Sequence, residues 1–497
     1  MVEKGIDDAL VKDIEIKVLN KADSDNFINH LKDLHEIDSS AHEKIDEKST
    51  YPKLAFEFLK SHGLYYNSMP LIINQNETLY IYRDGKYESL SVTTLKNWLM
   101  KWLAKKSDKL ATTCKRDGVL AVILAITEIN PKTKFGTYLN SEEKSNDAFT
   151  INLRNGLLTI CSELITVSSH DPLFFSNCQL PFSYDEKASC PTFERFLARV
   201  QPDQEIRYLL QEWLGYNLIY WTDLEAFVIH LGDGKNGKSV FSLIQTCLLG
   251  KENVSAVGLE GFNPQSRFTL AQTKGKLANV IEEINRNDKA AEGILKQFVS
   301  GQDLMVEEKY KTPYRMTPTA RVTALANNLP KFNDSSNGLW RRLILVPWSV
   351  VIPDEEVNLS YRNPNFWTPE LPGIFNWATD GLKRLLIRGH FLIPEAIKNS
   401  VSDFKKERNP IHEFLVMHFC EDPKSEIPDT LIYRKYQNFC QESGEFIQPK
   451  RSVNSEVPRI FKNAVKTKNP RNFNGTRCRY WIGIRLSETP THGNTGE

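Results

Sequence analysis

The chain has no C-x-x-C pair, no internal repeat, no long low-complexity tract, and no apolar run near the ~20 residues of a membrane span. Its cysteines stand singly at 114, 161, 178, 190, 247, 420, 440 and 478. That scatter argues against zinc-ribbon spacings and a disulfide scaffold, and makes reduced thiols in a cytosolic compartment the expectation. The opening MVEKGIDDALVKD lacks the basic-then-apolar pattern of a secretory leader. The expected place of work is the cytoplasm of the host cell, with no membrane partner. Net charge is almost absent too, at +1, but it is unevenly spread. Residues 1–50 hold thirteen Asp/Glu against seven Lys/Arg, and residues 450–486 hold ten Lys/Arg against Glu456 alone. Nucleic acid, if bound, is therefore expected near the basic end.

With 497 residues, 40% of them hydrophobic, the chain can bury several cores. An acidic segment, 1–50, poor in aromatics, precedes an α+β region, 51–203. Leu79–Leu90 reads as a hairpin turning at Asp84-Gly85, and Phe149–Ile160 as another turning at Asn155-Gly156. Val92–Lys106 reads as a helix with a basic face of Lys96, Lys101 and Lys105, and Gly118–Ile129 as a buried helix. Helices over Cys190–Val200 and Gln204–Ile219 lead into alternating strands and helices, the α/β signature, within 204–352. A helical stretch broken by prolines, 353–408, connects to a small domain, 409–486, and a polar tail, 487–497.

GDGKNGKS fits G-x-x-x-x-G-K-[ST] with Gly232, Asp233, Gly234, Lys235, Asn236, Gly237, Lys238 and Ser239. An apolar strand, Ala226–Leu231, precedes it and a helix ending at Gly250 follows it, the order a phosphate-binding loop requires. Glycines let backbone N–H groups approach the phosphates at a helix N-terminus. Lys238 is expected to neutralise the β- and γ-phosphates of ATP, and Ser239 to hold Mg²⁺. A second strand, Lys276–Asn285, ends in Glu282 and Glu283, assigned to the metal shell and to the attacking water. A third, Arg321–Asn328, offers Asn327 near the γ-phosphate. Gly338–Trp348 carries Arg341 and Arg342, either of which can serve as an arginine finger toward a neighbouring subunit.

These pieces, in this order, resemble the superfamily-3 helicases, and within them the primase-helicase family of phages, plasmids and poxviruses. The resemblance spans about Tyr51 to Leu486. It rests on G-x-G-x-N-G-K-S, on LKQFVSGQDLMVEEKYKTPY, on Asn327-Asn328-Leu329-Pro330, on Trp340-Arg341-Arg342, and on NGLL (Asn155–Leu158), Ser168–Pro172 and Leu371–Trp377. The metal-side carboxylate is usually Asp in that family and is Glu282 here, so the roles of the two glutamates stay open. S-G-D is S-G-Q-D, ending at Asp303. The resemblance implies an α/β fold with a modified AAA+ P-loop ATPase core, assembled as a homo-oligomeric ring, a hexamer, with ATP and Mg²⁺ between subunits. It also implies a mainly helical N-terminal region and 3′-to-5′ translocation on single-stranded or forked DNA. A channel hairpin would carry Lys309, Tyr310 and Lys311, two cations for phosphates and an aromatic for sugar or base.

In the last domain, Ile411–Cys420, Asp429–Gly444 and about Ser455–Lys466 read as three helices, the third presenting Arg459, Lys462 and Lys466 on one face. A strand with Arg477 and Arg479 follows. Helices followed by a basic strand resemble a winged helix, with DNA as its partner. The stretch before Tyr51 is shorter than a primase domain of ordinary size, so a separate primase or a host replication protein is the expected partner. Two other readings stand beside the helicase: an ATP-switched origin-binding initiator, and a packaging or remodelling motor.

Overall fold

The structure, a computed structural model, describes residues 45–66, 69–139, 148–161, 165–284, 291–309, 312–329, 337–407, 410–444 and 447–487. Most of the acidic N-terminal segment, the C-terminal tail, Tyr310, Lys311 and Pro330 lie outside them. Among the described residues, no helix is long and apolar enough to cross a membrane.

The N-terminal region opens with α1 (Tyr51–Ser61) and an antiparallel sheet of β1 (Ile72–Gln75), β2 (Thr78–Arg83) and β3 (Lys86–Leu90). Both turns of that sheet are two residues in the left-handed region, Asn76-Glu77 and Asp84-Gly85, the geometry that matches strand twist. Helices α2 (Val92–Lys106) and α3 (Thr113–Ile126) follow, capped by the Ser91 and Thr112 hydroxyls, which accept from the backbone N–H groups of Thr94 and Lys115. A second antiparallel sheet comprises β4 (Ala148–Leu153), β5 (Gly156–Cys161) and β6 (Ile165–Ser168). The region is thus α+β rather than mainly helical: runs such as TLYIYR and FTINL alternate with period two and end in turn residues.

Helices α4 (Pro191–Val200) and α5 (Gln204–Tyr216) lead to the central sheet. It contains β7 (Phe227–Leu231), β8 (Val254–Ser255), β9 (Ala278–Ile284), β12 (Arg321–Ala326) and β13 (Leu343–Pro347), in spatial order β8-β9-β12-β7-β13, every pair parallel. Between these run α6 (Lys238–Leu249), α7 (Glu292–Val299) and the hairpin β10 (Leu304–Val306)–β11 (Tyr314–Met316). Parallel strands covered on both faces read as continuous apolar runs. Here alternate residues feed two cores, Val228, Val280, Ile344 and Val346 on one face, Phe227, Ile229, Ala324 and Leu345 on the other.

Helix α8 (Leu371–Arg388) lies against α5, and α9 (Glu395–Glu407) follows it. The α5–α8 approach is backbone to backbone: a Cβ on Gly215 would sit 2.4 Å from the Ala378 carbonyl oxygen, and one on Gly381 2.5 Å from the Gln211 backbone. Buried Glu212 ties the pair through Arg388 (2.5 Å) and Arg384 (3.7 Å). The last unit runs α10 (Pro410–His418), β14 (Phe419–Pro428), α11 (Asp429–Ser443), α12 (Lys450–Ile460), β15 (Val465–Lys466), β16 (Arg471–Phe473), β17 (Thr476–Cys478) and β18 (Tyr480–Leu486). Its sheet is β14-β18-β15, and β16–β17 is a hairpin projecting between β15 and β18.

Three readings of this unit are corrected. The third helix starts and ends early, because Pro449 precedes it and Pro458 lies in its final turns. Lys462 and Lys466 therefore fall beyond it. The expected basic strand breaks at Arg479 into β17 and β18. Strand β14 has no alternation to betray it; Pro423, Lys424 and Ser425 bulge out between its paired halves.

Substituting Gly381 by Ala is expected to cost about 1–3 kcal/mol through forced helix separation. Gly293→Ala, which meets open space at the start of α7, is expected to be neutral or stabilising by up to about 0.5 kcal/mol. Chemical denaturation of both variants distinguishes them.

Candidate functional site

The register sets three strand ends level: Leu231 of β7 lies opposite Ala326 of β12 and Pro347 of β13. Gly232, Asn327 and Trp348 therefore leave the sheet side by side. Ligands of open α/β sheets bind outside such carboxyl ends. Gly232 must be glycine: a Cβ there would lie 2.3 Å from the Trp348 carbonyl oxygen. Beyond it, Gly234 (φ +100°), Lys235 (+47°) and Gly237 (+88°) turn the chain into α6, and space at Gly234 is open. Buried Asn236 braces the loop, donating to the Trp348 carbonyl (3.0 Å) and accepting from the Lys238 N–H (3.4 Å). No side chain caps the N-terminus of α6.

Lys238 is 4% exposed. Its ammonium donates to the Gly232 carbonyl and to Asn327 Oδ1 (3.0 Å). Both acceptors are neutral. Burial holds its pKa below the ordinary lysine value, against the pull of Asp233. Asp233 and Ser239 are exposed at the loop's rim. Lys235 reaches Asp354 at 2.5 Å, and Ile352 N–H donates to the Lys235 carbonyl (2.7 Å). The segment after β13 thus straps the loop.

On β9, Ile281 pairs with Ala324 and Ile284 with Ala326, so one extra residue bulges out between them. In a regular strand neighbours point to opposite faces; the bulge leaves Glu282 and Glu283 both exposed. Neither shares an ion pair or hydrogen bond with a described residue.

Arg341 and Arg342 lie at the other end of the sheet, just before β13. The two differ. Arg342 is buried, donating to Ser300 Oγ (3.1 Å) and the Gly338 carbonyl (2.6 Å) and pairing with Glu225 (2.5 Å). The Arg341 side chain is 66% exposed and only touches Glu225 at 3.6 Å. Ser300 belongs to S-G-Q-D, whose Asp303 accepts from the Thr317 hydroxyl (2.6 Å) at the base of the β10–β11 hairpin. Lys309 is exposed near that hairpin's tip; Tyr310 and Lys311 lie outside the described residues.

The basic residues of the last unit separate. Arg459 is exposed on α12 and pairs with Glu456 (2.7 Å). Lys462 is exposed beyond the helix, and Arg477 and Arg479 flank the end of β17. Lys466 is taken by buried Asp429 (3.0 Å), which also binds Lys450 (2.8 Å). Arg451, missed because the helix was started too late, shares the exposed face of α12 with Ser455 and Arg459, four residues apart each.

His230 was also missed. It lies inside β7, fully buried, and its Nδ1 accepts from Trp348 Nε1 (3.0 Å). The ring proton therefore sits on Nε2, which has no partner. Burial first, then the Lys238 charge, pushes its pKa down to about 3. A histidine flanked by apolar residues in a doubly covered strand was the available signal.

The comparisons join these parts. Residues 73–202 match the family model described as D5 N terminal like, and residues 230–342 match a family of unknown function, DUF5906. Two viral relatives are named putative helicases: L207/L206 of Acanthamoeba polyphaga mimivirus and 121R of Invertebrate iridescent virus 3. The first is 25% identical over 345 residues, 56% of this chain and 35% of its own length. The second is 23% identical over 171 residues, 31% and 17%. The chain thus carries a D5 N terminal like region and is similar to viral proteins named as helicases. It spans about a third or less of these relatives. An apo structure of the NrS-1 C-terminal region aligns with 83% of this chain and 95% of its own, at 11% identity and a TM-score of 0.44, a likeness too loose to carry a structural comparison.

The His230 pKa predicts an acid-sensitive fold. In the unfolded chain the group takes a proton near 6.5; in the fold it does so only near 3. Its contribution to stability is complete above pH 6.5 and falls as pH drops toward 3. Between pH 6.5 and 5, before most carboxylates titrate, the melting temperature of the wild type is expected to fall more steeply than that of His230→Gln, whatever their absolute values.

Proposed function

We propose that this chain is an ATP-driven, ring-forming replicative DNA helicase that moves along single-stranded DNA 3′ to 5′. The observation that carries this is the buried Lys238 ammonium, hydrogen-bonded only to neutral acceptors beside a left-handed glycine loop and an uncapped helix N-terminus. A desolvated cation with open space before it fits a polyphosphate. The ATPase unit is read as a modified AAA+ core.

Lys238 would neutralise the β- and γ-phosphates, with N–H groups of the loop and α6 around them. Ser239 and one bulge glutamate would hold Mg²⁺ together with phosphate oxygens; a divalent ion bound this way needs only one or two protein oxygens. Among the described residues, no group of three or more His, Cys, Asp or Glu could hold a metal by itself. The other glutamate orients and polarises the water, and Glu283 takes that role here. Asn327, already on Lys238, stands where it can sense the γ-phosphate.

Five residues of β13 separate Trp348, at the loop, from Arg342, a span of about 20 Å in extended chain. The arginines are thus too far to reach their own loop, and an arginine that touches a γ-phosphate must act on a neighbouring copy. Exposed Arg341 is the finger; Arg342 is the buried tether that holds it. Such a head-to-tail contact, closed on itself, supports the reading as a ring.

The last unit has the helix–strand–helix–helix–strand–hairpin–strand order of a winged helix, and its exposed α12 face with Arg451 and Arg459, together with Arg477 and Arg479 on the hairpin, would grip DNA. A separate primase or host replication protein would supply primers.

Glu283→Gln is expected to lower ATP turnover and strand displacement at least 100-fold while nucleotide binding survives; Lys238→Ala loses binding itself. Displacement of a forked duplex that persists in Glu283→Gln would overturn the assignment of the water-directing carboxylate. Arg341→Ala is expected to lose about 10³-fold in turnover. Mixing it with inactive Lys238→Ala restores measurable hydrolysis, because each supplies what the other lacks across an interface. Arg342→Ala instead lowers the melting temperature.

A further inference from the structure

Helix α2 carries cations that neither the nucleotide loop nor the last unit uses. At about 100° per residue, Lys101 and Lys105 share an exposed face with Asn97 and half-buried Trp98. Lys96 does not belong to this face: it lies about 140° from Lys101 around the helix and pairs with Asp117 (3.9 Å). Lys106 and Lys109 are likewise taken, by Glu57 (3.6 Å) and Glu47 (3.0 Å). Lys101 and Lys105 have no carboxylate partner among the described residues. From the neighbouring hairpin, exposed Arg83 holds its guanidinium 5.4 Å from the centre of the Trp98 ring. The hairpin's own Glu88 faces Lys86 (3.7 Å).

This surface is rigid. Leu95, Leu99, Trp102 and Leu103 bury the opposite side of α2. The tip of the β2–β3 turn is fastened by Asn152, which donates to the Gly85 carbonyl (2.7 Å), and by Gln179, which donates to the Asp84 carbonyl (2.8 Å). Asn253, between α6 and β8, donates to the Gln179 carbonyl (2.9 Å), so the platform is held to the nucleotide-binding sheet. At the far end of β2, Lys274 donates to the Thr78 hydroxyl (3.3 Å) and lies 5.7 Å from the Tyr80 ring and 4.7 Å from the Tyr314 ring. Tyr314 belongs to β11, so the hairpin expected to enter the channel adjoins the strand that ends in Arg83.

We propose that Arg83, Trp98, Lys101 and Lys105 form a second polynucleotide contact, specific for an unpaired strand; this rests on the reading of the chain as a DNA-translocating enzyme. A guanidinium against an indole, with two lysines on the same helix face, is the combination that takes a stacked base and phosphates. An acidic protein would use the lysines but has no need of the indole between them, and duplex DNA has no unstacked base to offer it.

The test uses the full chain and a fluorescent oligothymidylate, with affinity read by anisotropy from 50 to 200 mM salt. Lys101→Glu/Lys105→Glu is expected to bind at least 10-fold more weakly at 100 mM salt. Its plot of log affinity against log salt is expected to be shallower by about 1.4, the value for two lost single-strand phosphate contacts. An unchanged melting temperature shows that the variant is folded, and Lys101→Arg/Lys105→Arg is expected to retain wild-type affinity. Wild-type affinity and salt slope in the Glu variant would overturn the proposal. So would unchanged oligothymidylate binding with loss of binding to polyglutamate, which assigns the face to an acidic protein. Failure here leaves the helicase reading standing if wild-type ATP turnover still rises with oligothymidylate; a wild type that binds no oligothymidylate sinks both.

Discussion

A cation kept out of water and hydrogen-bonded only to neutral acceptors is the constraint around which the central sheet is arranged. Placing the Lys238 ammonium there takes a glycine at 232, since any side chain would meet the Trp348 carbonyl. It takes Asn236 to brace the loop and Asn327 to accept from the ammonium. Each of these is delivered by strands whose carboxyl ends are level. Burial without full neutralisation is unfavourable in itself. An incoming polyanion, as proposed for this loop, would relieve that unfavourable state, so part of its binding free energy would already be stored in the fold.

The sheet also keeps its two chemistries apart. Loop and bulge glutamates occupy the carboxyl ends, Arg341 and Arg342 the amino ends. The S-G-Q-D stretch connects them to the hairpin: Ser300 holds Arg342, and Asp303 holds Thr317 at the hairpin's base. One short segment thus touches both the arginine end of the sheet and the element expected to meet DNA.

Much of this architecture was legible in the chain because its signals are local. The turn at Asp84-Gly85, helix α2 and the strand–loop–helix around Gly232 all announce themselves within about fifteen residues. What escaped depends on distant partners. That Arg342 is tethered and Arg341 exposed is settled by Glu225 and Ser300, far away in sequence. That Glu282 and Glu283 face the same way is settled by a bulge against β12, which no periodicity reports. The basic cluster of the last unit was misassembled because apolar spacing continued past Ile460, whereas Pro458 and the pairing of Val465 with Ile482 turn the chain into a sheet. Lys466 counted as a DNA ligand by composition, but buried Asp429 claims it.

Lys274 stands between two aromatic rings, Tyr314 at the loop end of the β10–β11 strand pair and Tyr80 in the N-terminal sheet. A load applied at the hairpin's tip would therefore not be carried by the central sheet alone. Part of it passes through an ammonium cushioned on two ring faces into a separately cored body, which acts as a buttress. Cation–ring contacts tolerate sliding better than the Lys274–Thr78 hydrogen bond does, so the rings can hold the joint over small excursions that stretch that bond.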